Sequence, residues 1–427
     1  MLAAPLFLQP ALGRPVAIFG GGVSGGGARA LLEQLRADVA VYDARGTAFT
    51  ASAARQHSLV VFSPGFPLEH PWLNLARAAG ALCIGELDFG SLFWRGKLVA
   101  ITGTNGKTTL TEFLAHALGG IGRDAHVTGN IGYSLSQLAA DKRGGAKDMF
   151  AICEVSSFQA EALEHFRADA TLWTNFAEDH LERHGDLAAY FRAKWRLLAH
   201  TDPGAVLAGS SVVRFAHEFD RPAGALVAVP TEQQPADPRL VRTVFAEYPQ
   251  RENFLLAAAW WRANGFDEGA LFASAQSFKL GRHRLARVSE HEGITFWNDS
   301  KATNFHAVEA ALAGFAAPVI LIAGGKSKGG DLGAFVRRIA PQVKHAVLIG
   351  ETSSALASHF GQCHVRYTQC GDFADAVRRA AEMAEPGDHV LLSPGFASFD
   401  MFRNYEDRGT QFESLVATLS TPAAHVS

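Results

Sequence analysis

The sequence predicts an α/β protein with parallel sheets, organised as three domains. Three observations carry this. Short apolar runs alternate with longer amphipathic segments, the pattern of strand and crossover helix. The runs fall into three series, and the exits of their strands are glycine or small polar residues. The chain has 427 residues, enough for two or three domains and several buried cores. Boundaries near 90 and 282 are expected, giving a Rossmann-like domain at 1–90, a P-loop-type domain with a parallel sheet at 91–281, and a second Rossmann-like domain at 282–427. In open α/β sheets ligands gather at the carboxyl ends of strands, so the chemistry belongs at these exits.

Composition narrows the function. A formal net charge of -3, with signs mixed along the chain, argues against a nucleic-acid partner. The four cysteines, Cys83, Cys153, Cys363 and Cys370, form no CxxC pair, against a disulfide framework or structural zinc. "MLAAPLFLQPALGRP" has no basic residue before Arg14 and makes a poor signal peptide. No run approaches the roughly 18–20 apolar residues of a membrane span. A soluble cytoplasmic protein is expected. "TEQQPADPR" at 231–239 reads as a loop.

In the first series "RPVAIFGGG", "ADVAVYDAR" and "SLVVFSPGF" read as strands. Gly20, Gly22 and Gly25 satisfy G-x-G-x-x-G between strand and helix, and Asp43 closes the next strand. Such glycines let the backbone approach a pyrophosphate, and the helix N-terminus favours its charge. NAD is the default ligand; a uridine diphosphate sugar offers the same pyrophosphate and ribose, and a bare turn explains the pattern too.

The second series opens with "GKLVAITGT" and continues with "MFAICEVSS" and "ATLWTNFAE". The stretch Gly103, Thr104, Asn105, Gly106, Lys107, Thr108, Thr109 is a shortened phosphate loop. Only Thr104 and Asn105 separate its first glycine from Gly106, where the usual loop has four residues. Where strand meets helix, backbone N–H groups point at an anion. Lys107 can reach phosphates, and Thr108 or Thr109 can offer a hydroxyl to Mg²⁺. Glu154 leaves one strand; Asn175, Glu178, Asp179 and His180 leave another. An acid and a histidine there suit Mg²⁺, or serve as caps and satisfied polar groups.

Lys194 is the local anomaly. "DLAAYFRAKWRLLAH" reads as a helix capped by Asp186, with an apolar stripe of Leu187, Tyr190, Phe191, Trp195 and Leu198, and Lys194 falls inside it. Burying an unpaired ammonium is costly and lowers its pKa. A neutral amine adds carbon dioxide and becomes a carbamate, an oxygen-bearing metal ligand. Periodicity alone favours a lysine snorkelling at the stripe's edge.

The third series comprises "GITFWNDS", "APVILIAGG", "HAVLIGE" and "DHVLLSPGF". Its exits carry "WNDSKATN", "IAGGKSKGGD" and "LLSPGFASFDMFRNYEDRG", with Asp299, Lys301, Lys328 and Ser398. Two lysines there suit a substrate bearing carboxylates. "GGKSKGG" reads equally as a second phosphate loop or a flexible turn.

"GTNGKTT", "EVSSFQ", "TNFAEDHLERHG" with "RAKWRLL", "HR", "NDSKATN", "AGGKSKGGD" and "SPGFASFDMFRNYEDRG" occur in one order. That succession resembles the Mur ligases over nearly the whole chain, and "NDSKATN" with the "RNYEDRG" ending is similar to the glutamate-adding members. The resemblance implies a first domain for a UDP-sugar, a second for ATP and two Mg²⁺ ions, and a mobile third that brings the amino acid. It assigns Val23, Ser24, Asp43, Arg45, Ser63, Pro64 and Gly65 to uridine and pyrophosphate, and Asn130 and Gln159 to the muramoyl end. Residues Gly103 to Thr109, with Asn253, Arg284 and Asp299, would bind ATP. Thr108, Glu154, His180 and a carbamylated Lys194 would hold metal, with Lys107, His180 and Lys194 catalytic. Lys301, Thr303, Lys328, Ser398 and Tyr405 would bind glutamate. The sequence departs from the family at Gly395-Phe396, where small residues are usual, and at Phe399 after Ser398; these rings bear on which amino acid, D or L, fits.

The chemistry implied is peptidoglycan precursor synthesis: D-glutamate joined to UDP-N-acetylmuramoyl-L-alanine through an acyl phosphate, by a monomer. A folylpolyglutamate synthase would share the ATP domain but needs no domain before it, and about 90 residues precede the loop. A related ligase for L-glutamate or another amino acid is a further alternative. An NAD-dependent oxidoreductase would explain Gly20–Gly25 but not Gly103–Thr109 or Lys301. A non-catalytic ATP sensor is a further alternative, and the retention of every matched polar position argues against it.

Overall fold

The computed structural model describes residues 2–419 except 233 and 236. Among them lie three sheets. The first has strands β1 (Val16–Phe19), β2 (Val39–Tyr42), β3 (Leu59–Phe62) and β4 (Leu82–Gly85) in the order β2-β1-β3-β4. The second has β5 (Lys97–Thr102), β6 (Ala125–Gly129), β7 (Phe150–Glu154), β8 (Ala170–Trp173), β9 (Val206–Ala208) and β10 (Val227–Ala228), ordered β10-β9-β8-β5-β7-β6. The third has β11 (Ala286–His291), β12 (Ile294–Asn298), β13 (Val319–Gly324), β14 (Val343–Ile349), β15 (Arg366–Gln369) and β16 (His389–Leu392), ordered β11-β12-β16-β13-β14-β15. The unbroken apolar runs form inner strands covered on both faces: every residue of β1, β3, β7, β8 and β13 is buried.

Several strands gave no clear signal. Of these, β4, β6, β10, β11 and β15 lie at sheet edges, whereas β9 is an inner strand of only three residues. An edge strand needs fewer apolar residues, and "RYTQ" of β15 and "ARVSEH" of β11 are mostly polar. The third sheet is not wholly parallel either. β11 pairs antiparallel with β12 through a two-residue turn at Glu292 and Gly293, both at positive φ (51° and 79°). That is the conformation a tight hairpin requires.

The chain folds as two compact units. One comprises residues up to 176, 188–246 and 250–278 and holds the first two sheets; the other comprises 177–187, 247–249 and 279 onward and holds the third. Two acids tie the first two sheets together within their unit. Helix Glu86–Ser91 follows β4, and its Asp88 carboxylate accepts backbone N–H groups from Glu164, His165 and Phe166 (3.2, 2.9 and 2.6 Å). Glu86 accepts the N–H of Ser136 in the first turn of helix Leu135–Asp141 (2.9 Å). Both carboxylates are buried, so burial raises their pKa values while these backbone donors oppose the rise.

Candidate functional site

β5 ends at Thr102, and the chain enters helix Lys107–Gly120 through Gly103 and Gly106, at φ 144° and 80°. Glycine is required at 106: a Cβ there would sit 2.5 Å from Asn253 Oδ1, and the φ is unfavourable for any side chain. The exit of β8 braces the loop. Asn105 N donates to Asn175 Oδ1 (2.9 Å), Thr104 N to Asn175 O (3.0 Å), and Thr174 Oγ1 to Asn105 O (2.6 Å). Lys107 Nζ folds back to the carbonyls of Gly103 (3.0 Å) and Thr104 (2.8 Å), placing a cation over the loop.

Behind the loop, Thr108 Oγ1 donates to Glu154 Oε2 (2.6 Å), and Asn130 Nδ2 donates to Glu154 Oε1 (3.0 Å). Glu154 is buried at the carboxyl end of β7. A hydroxyl and a carboxylate beside a phosphate loop are hard oxygen donors, and that donor set fits Mg²⁺. Lys194 does not snorkel. It is 1 % exposed, and its Nζ donates to Gly103 O (2.8 Å) and Thr102 Oγ1 (3.3 Å) and lies 5.0 Å from the centre of the Tyr190 ring. The side chain reaches back along its helix to the root of the phosphate loop, so its place in the apolar stripe marks burial.

In the first sheet, the exits of the adjacent strands β2, β1 and β3 carry Asp43 with Arg45, Val23 with Ser24, and Ser63–Gly65. Helix Val23–Gln34 begins directly after the glycine turn, and a Cβ on Gly25 would overlap the carbonyl oxygen of Gly20. Asp43 accepts the N–H of Gly21 (2.9 Å) and of Arg45 (3.0 Å), and the latter, then the former, holds its carboxyl below the usual range. Ser63 Oγ is buried, with no hydrogen-bond partner among the described residues. Gln159 serves a local purpose: with Ser156 it forms a reciprocal capping box at helix Ser157–Ala160.

The second unit gathers the remaining candidates. Asp299 accepts Leu285 N (3.0 Å) and Ser393 Oγ (2.9 Å), and burial pushes its pKa up to about 7 despite these bonds and the nearby charges of Arg284 and Arg408. Lys301 Nζ donates to Tyr405 OH (3.1 Å). Lys328 Nζ meets Thr303 Oγ1 (3.3 Å) and Asp179 Oδ1 (3.4 Å), and Asn304 Nδ2 donates to Asp179 Oδ2 (3.0 Å). His180, at φ 55°, lies 3.7 Å from Asp179 and 3.4 Å from Glu182. Burial lowers its pKa, Lys328 adding to the effect and the two acids opposing it. Ser398 is buried. Phe396 belongs to the core, edge-on to Phe305 (5.4 Å), whereas Phe399 is 70 % exposed.

Sequence reasoning missed two charged groups. Arg408, 0 % exposed, donates to Ser300 Oγ (3.0 Å), Ser300 O (2.8 Å) and Phe396 O (3.3 Å), tying "NDSKATN" to the last motif. Burial pulls its pKa down to about 10. The signal was present: Arg408, Phe412 and Val416 share a buried face of helix Tyr405–Leu419 at four-residue spacing. Glu252 stands in the first turn of helix Gln250–Ala263, one residue before Asn253, with its pKa raised to about 7. Burial is the largest cause, and no local pattern announces it.

The strand–loop–helix junction, with the acid–hydroxyl pair behind it, has the geometry that suits a bound phosphate in an α/β protein. Two family models match the chain: "Mur ligase middle domain" over residues 101–219, and "Mur ligase, glutamate ligase domain" over 283–396. A UDP-N-acetylmuramoylalanine--D-glutamate ligase of Alkaliphilus metalliredigens is 35% identical over 387 residues, covering 84% of each chain. Another, from a Thermoanaerobacter species, is 31% identical over 451 residues, covering 95% of this chain and 99% of its own. Among solved structures, UDP-N-acetylmuramate-alanine ligase from Thermotoga maritima shares the fold with a TM-score of 0.60 at 15% identity, covering 95% of this chain and 100% of its own. A folylpolyglutamate synthase from Mycobacterium tuberculosis, solved with ADP and AMPPCP, reaches 0.54 at 15% identity, covering 76% and 92%. The chain belongs to the Mur ligase family. Mur ligases are ATP-dependent ligases, typically assisted by Mg²⁺. An NAD-dependent oxidoreductase finds no support in these comparisons. Among the described residues, no helix is long and apolar enough to cross a membrane.

Proposed function

We propose that this chain adds D-glutamate to UDP-N-acetylmuramoyl-L-alanine, the reaction for which its relatives are named. The observation that carries the reading is the short loop Gly103–Gly106, with Lys107 over it and the Thr108–Glu154 pair behind it. A carboxylate resists an amine until one oxygen becomes a leaving group. Transfer of the γ-phosphoryl group of ATP to the alanyl carboxylate makes an acyl phosphate. The amine of glutamate attacks it, and the tetrahedral adduct collapses to amide and phosphate. Lys107 offsets the charge spread over the transferring phosphoryl oxygens. Backbone N–H groups at the start of helix Lys107–Gly120 hold the phosphates, with Asn175 keeping Thr104 and Asn105 in place. When bound, Mg²⁺ neutralises phosphate charge. Thr108 and Glu154 are suited to hold it, and the resemblance adds His180 and a carbamylated Lys194. Burial lowers the pKa of His180, which favours the neutral ring that a ligand needs.

Residues 1–90 are proposed to hold the UDP-sugar through Val23, Ser24, Asp43, Arg45 and Ser63–Gly65, with Asn130 and Gln159 at its muramoyl end. Residues 91–281 are proposed to hold ATP, with Asn253 and, from 282–427, Arg284 and Asp299. Lys301, Thr303, Lys328, Ser398 and Tyr405 are proposed to receive glutamate; Lys328 and Lys301 supply charge for two carboxylates. A cytoplasmic monomer completes the reading. The test is phosphate release from ATP with UDP-N-acetylmuramoyl-L-alanine and a panel of D- and L-amino acids. Release that depends on D-glutamate is expected. Release with L-glutamate alone would move the amino-acid assignment, and release with no amino acid of the panel would defeat the ligase reading.

A further inference from the structure

β14 ends at Ile349, and the chain turns through Gly350, Glu351 and Thr352 into helix Ser353–Gln362. No motif drew attention to this turn. Thr352 is buried, and its hydroxyl works in both directions, donating to Gly325 O (3.0 Å) and accepting from Gly325 N (3.2 Å). One residue earlier, Glu351 N donates to Asp400 Oδ2 (2.9 Å). Gly325 lies at the root of the loop that carries Lys328, and Asp400 lies two residues after Ser398. The two loops are also tied to each other. Lys326 N donates to Ala397 O (2.8 Å), and Ala397 N donates to Lys326 O (3.2 Å). The turn therefore grips both loops from one side, while their mutual ladder passes any shift of one to the other.

We propose that Thr352 is a positioning residue of the amino-acid site: by clamping both polar groups of Gly325, it sets where the Lys328 and Ser398 loops stand. The inference rests on the reading that Lys328 and Ser398 receive the amino acid. The physical need is specific. Gly325 sits at φ 143°, a region open to glycine, so its own backbone does little to resist rotation. A hydroxyl donates and accepts at once. Valine has the same shape and can do neither, which leaves the buried Gly325 N–H without its acceptor. Serine keeps the hydroxyl.

The experiment is steady-state kinetics of the full chain carrying Thr352→Val, Thr352→Ala or Thr352→Ser, with D-glutamate, ATP and UDP-N-acetylmuramoyl-L-alanine varied in turn. Thr352→Val and Thr352→Ala are expected to raise KM for glutamate roughly tenfold, the scale of one buried hydrogen bond lost from a positioned loop. KM for ATP should change little, and Thr352→Ser should stay close to the parent. The alanine variant replaces the valine one if the latter fails to fold. An unchanged KM for glutamate in the folded variants overturns the proposal, as does a serine variant as impaired as the valine one. Lys328→Ala, measured alongside, separates the two levels. If it raises the ATP term instead of the glutamate term, the amino-acid reading has failed. The positioning role then still requires Thr352→Val to move the same term as Lys328→Ala, and a different term would overturn it.

Discussion

Glu252→Gln should make the protein more stable at pH 8 and leave it unchanged at pH 4.5. The carboxyl ionises near 4.5 when exposed and at about 7 in the folded chain, because burial and the neighbouring Glu232 both penalise the anion. The Asn175 amide and Arg214 offset part of that penalty. Below pH 4.5 both folded and unfolded states are protonated, and the site costs nothing. Between 4.5 and about 7 the unfolded chain has already ionised, so folding must take up a proton, and stability falls as pH rises. Above 7 the folded chain carries the partly buried anion, and the whole penalty is in place. An interval of about 2.5 pH units (7 − 4.5) at 1.36 kcal/mol each amounts to about 3 kcal/mol. Glutamine cannot ionise, yet keeps an oxygen for the Asn175 amide. For a unit of this size, about 3 kcal/mol moves the melting temperature by several degrees. Thermal melts from pH 4.5 to 8.5 should therefore show the two proteins together at the acid end and diverging up to about pH 7. The first unit must be followed separately because a chain of two compact units need not melt in one step. Six of the seven tryptophans lie in that unit and Trp297 in the other, so fluorescence of a Trp297→Phe background reports on the first unit. A difference of the same size at every pH, or none at pH 8, would refute the buried-carboxylate argument.

Three further outcomes are expected. Lys107→Ala should abolish phosphate release while leaving the melting temperature near that of the parent; near-normal turnover would sink the ATP assignment. Lys328→Ala and Ser398→Ala should mainly raise KM for glutamate, and a loss concentrated in the ATP term would place them at the nucleotide instead. Lys194→Ala should lose most activity, since it removes the bonds to Gly103 and Thr102 and leaves a cavity at the loop root. If the lysine works as a carbamate, acetate or formate should restore part of that activity without affecting the parent, and intact mass in bicarbonate should show one added carbon dioxide. Full activity of Lys194→Ala without additives would remove Lys194 from the site altogether.

The local geometry of the candidate site was legible because it is written in neighbouring residues. A glycine at a positive φ, a lysine one residue on and a threonine in the first helical turn are separated by fixed short lengths of chain, so Gly106, Lys107 and Thr108 could be read as one device. The same holds for inner strands such as β1 and β13, where continuous apolar runs leave one reasonable conformation. Helical spacing likewise put Lys194 in an apolar stripe, but it could not say whether the ammonium lay inside or at the edge. That depended on the root of the phosphate loop, 91 residues earlier, offering the carbonyl of Gly103. Edge strands such as β15 escaped notice because a partner on one side alone demands little apolar surface. The allegiance of 177–187 to the second unit is equally non-local, resting on Asp179 meeting Asn304 and Lys328, 125 and 149 residues away. So are the bracing of Asn105 by Asn175, the high pKa of Glu252 and the grip of Thr352 on Gly325. Chain geometry over a few residues is set by sterics and periodicity, which sequence alone determines. Burial, and every hydrogen bond that burial makes necessary, is decided by which distant segments the fold brings together.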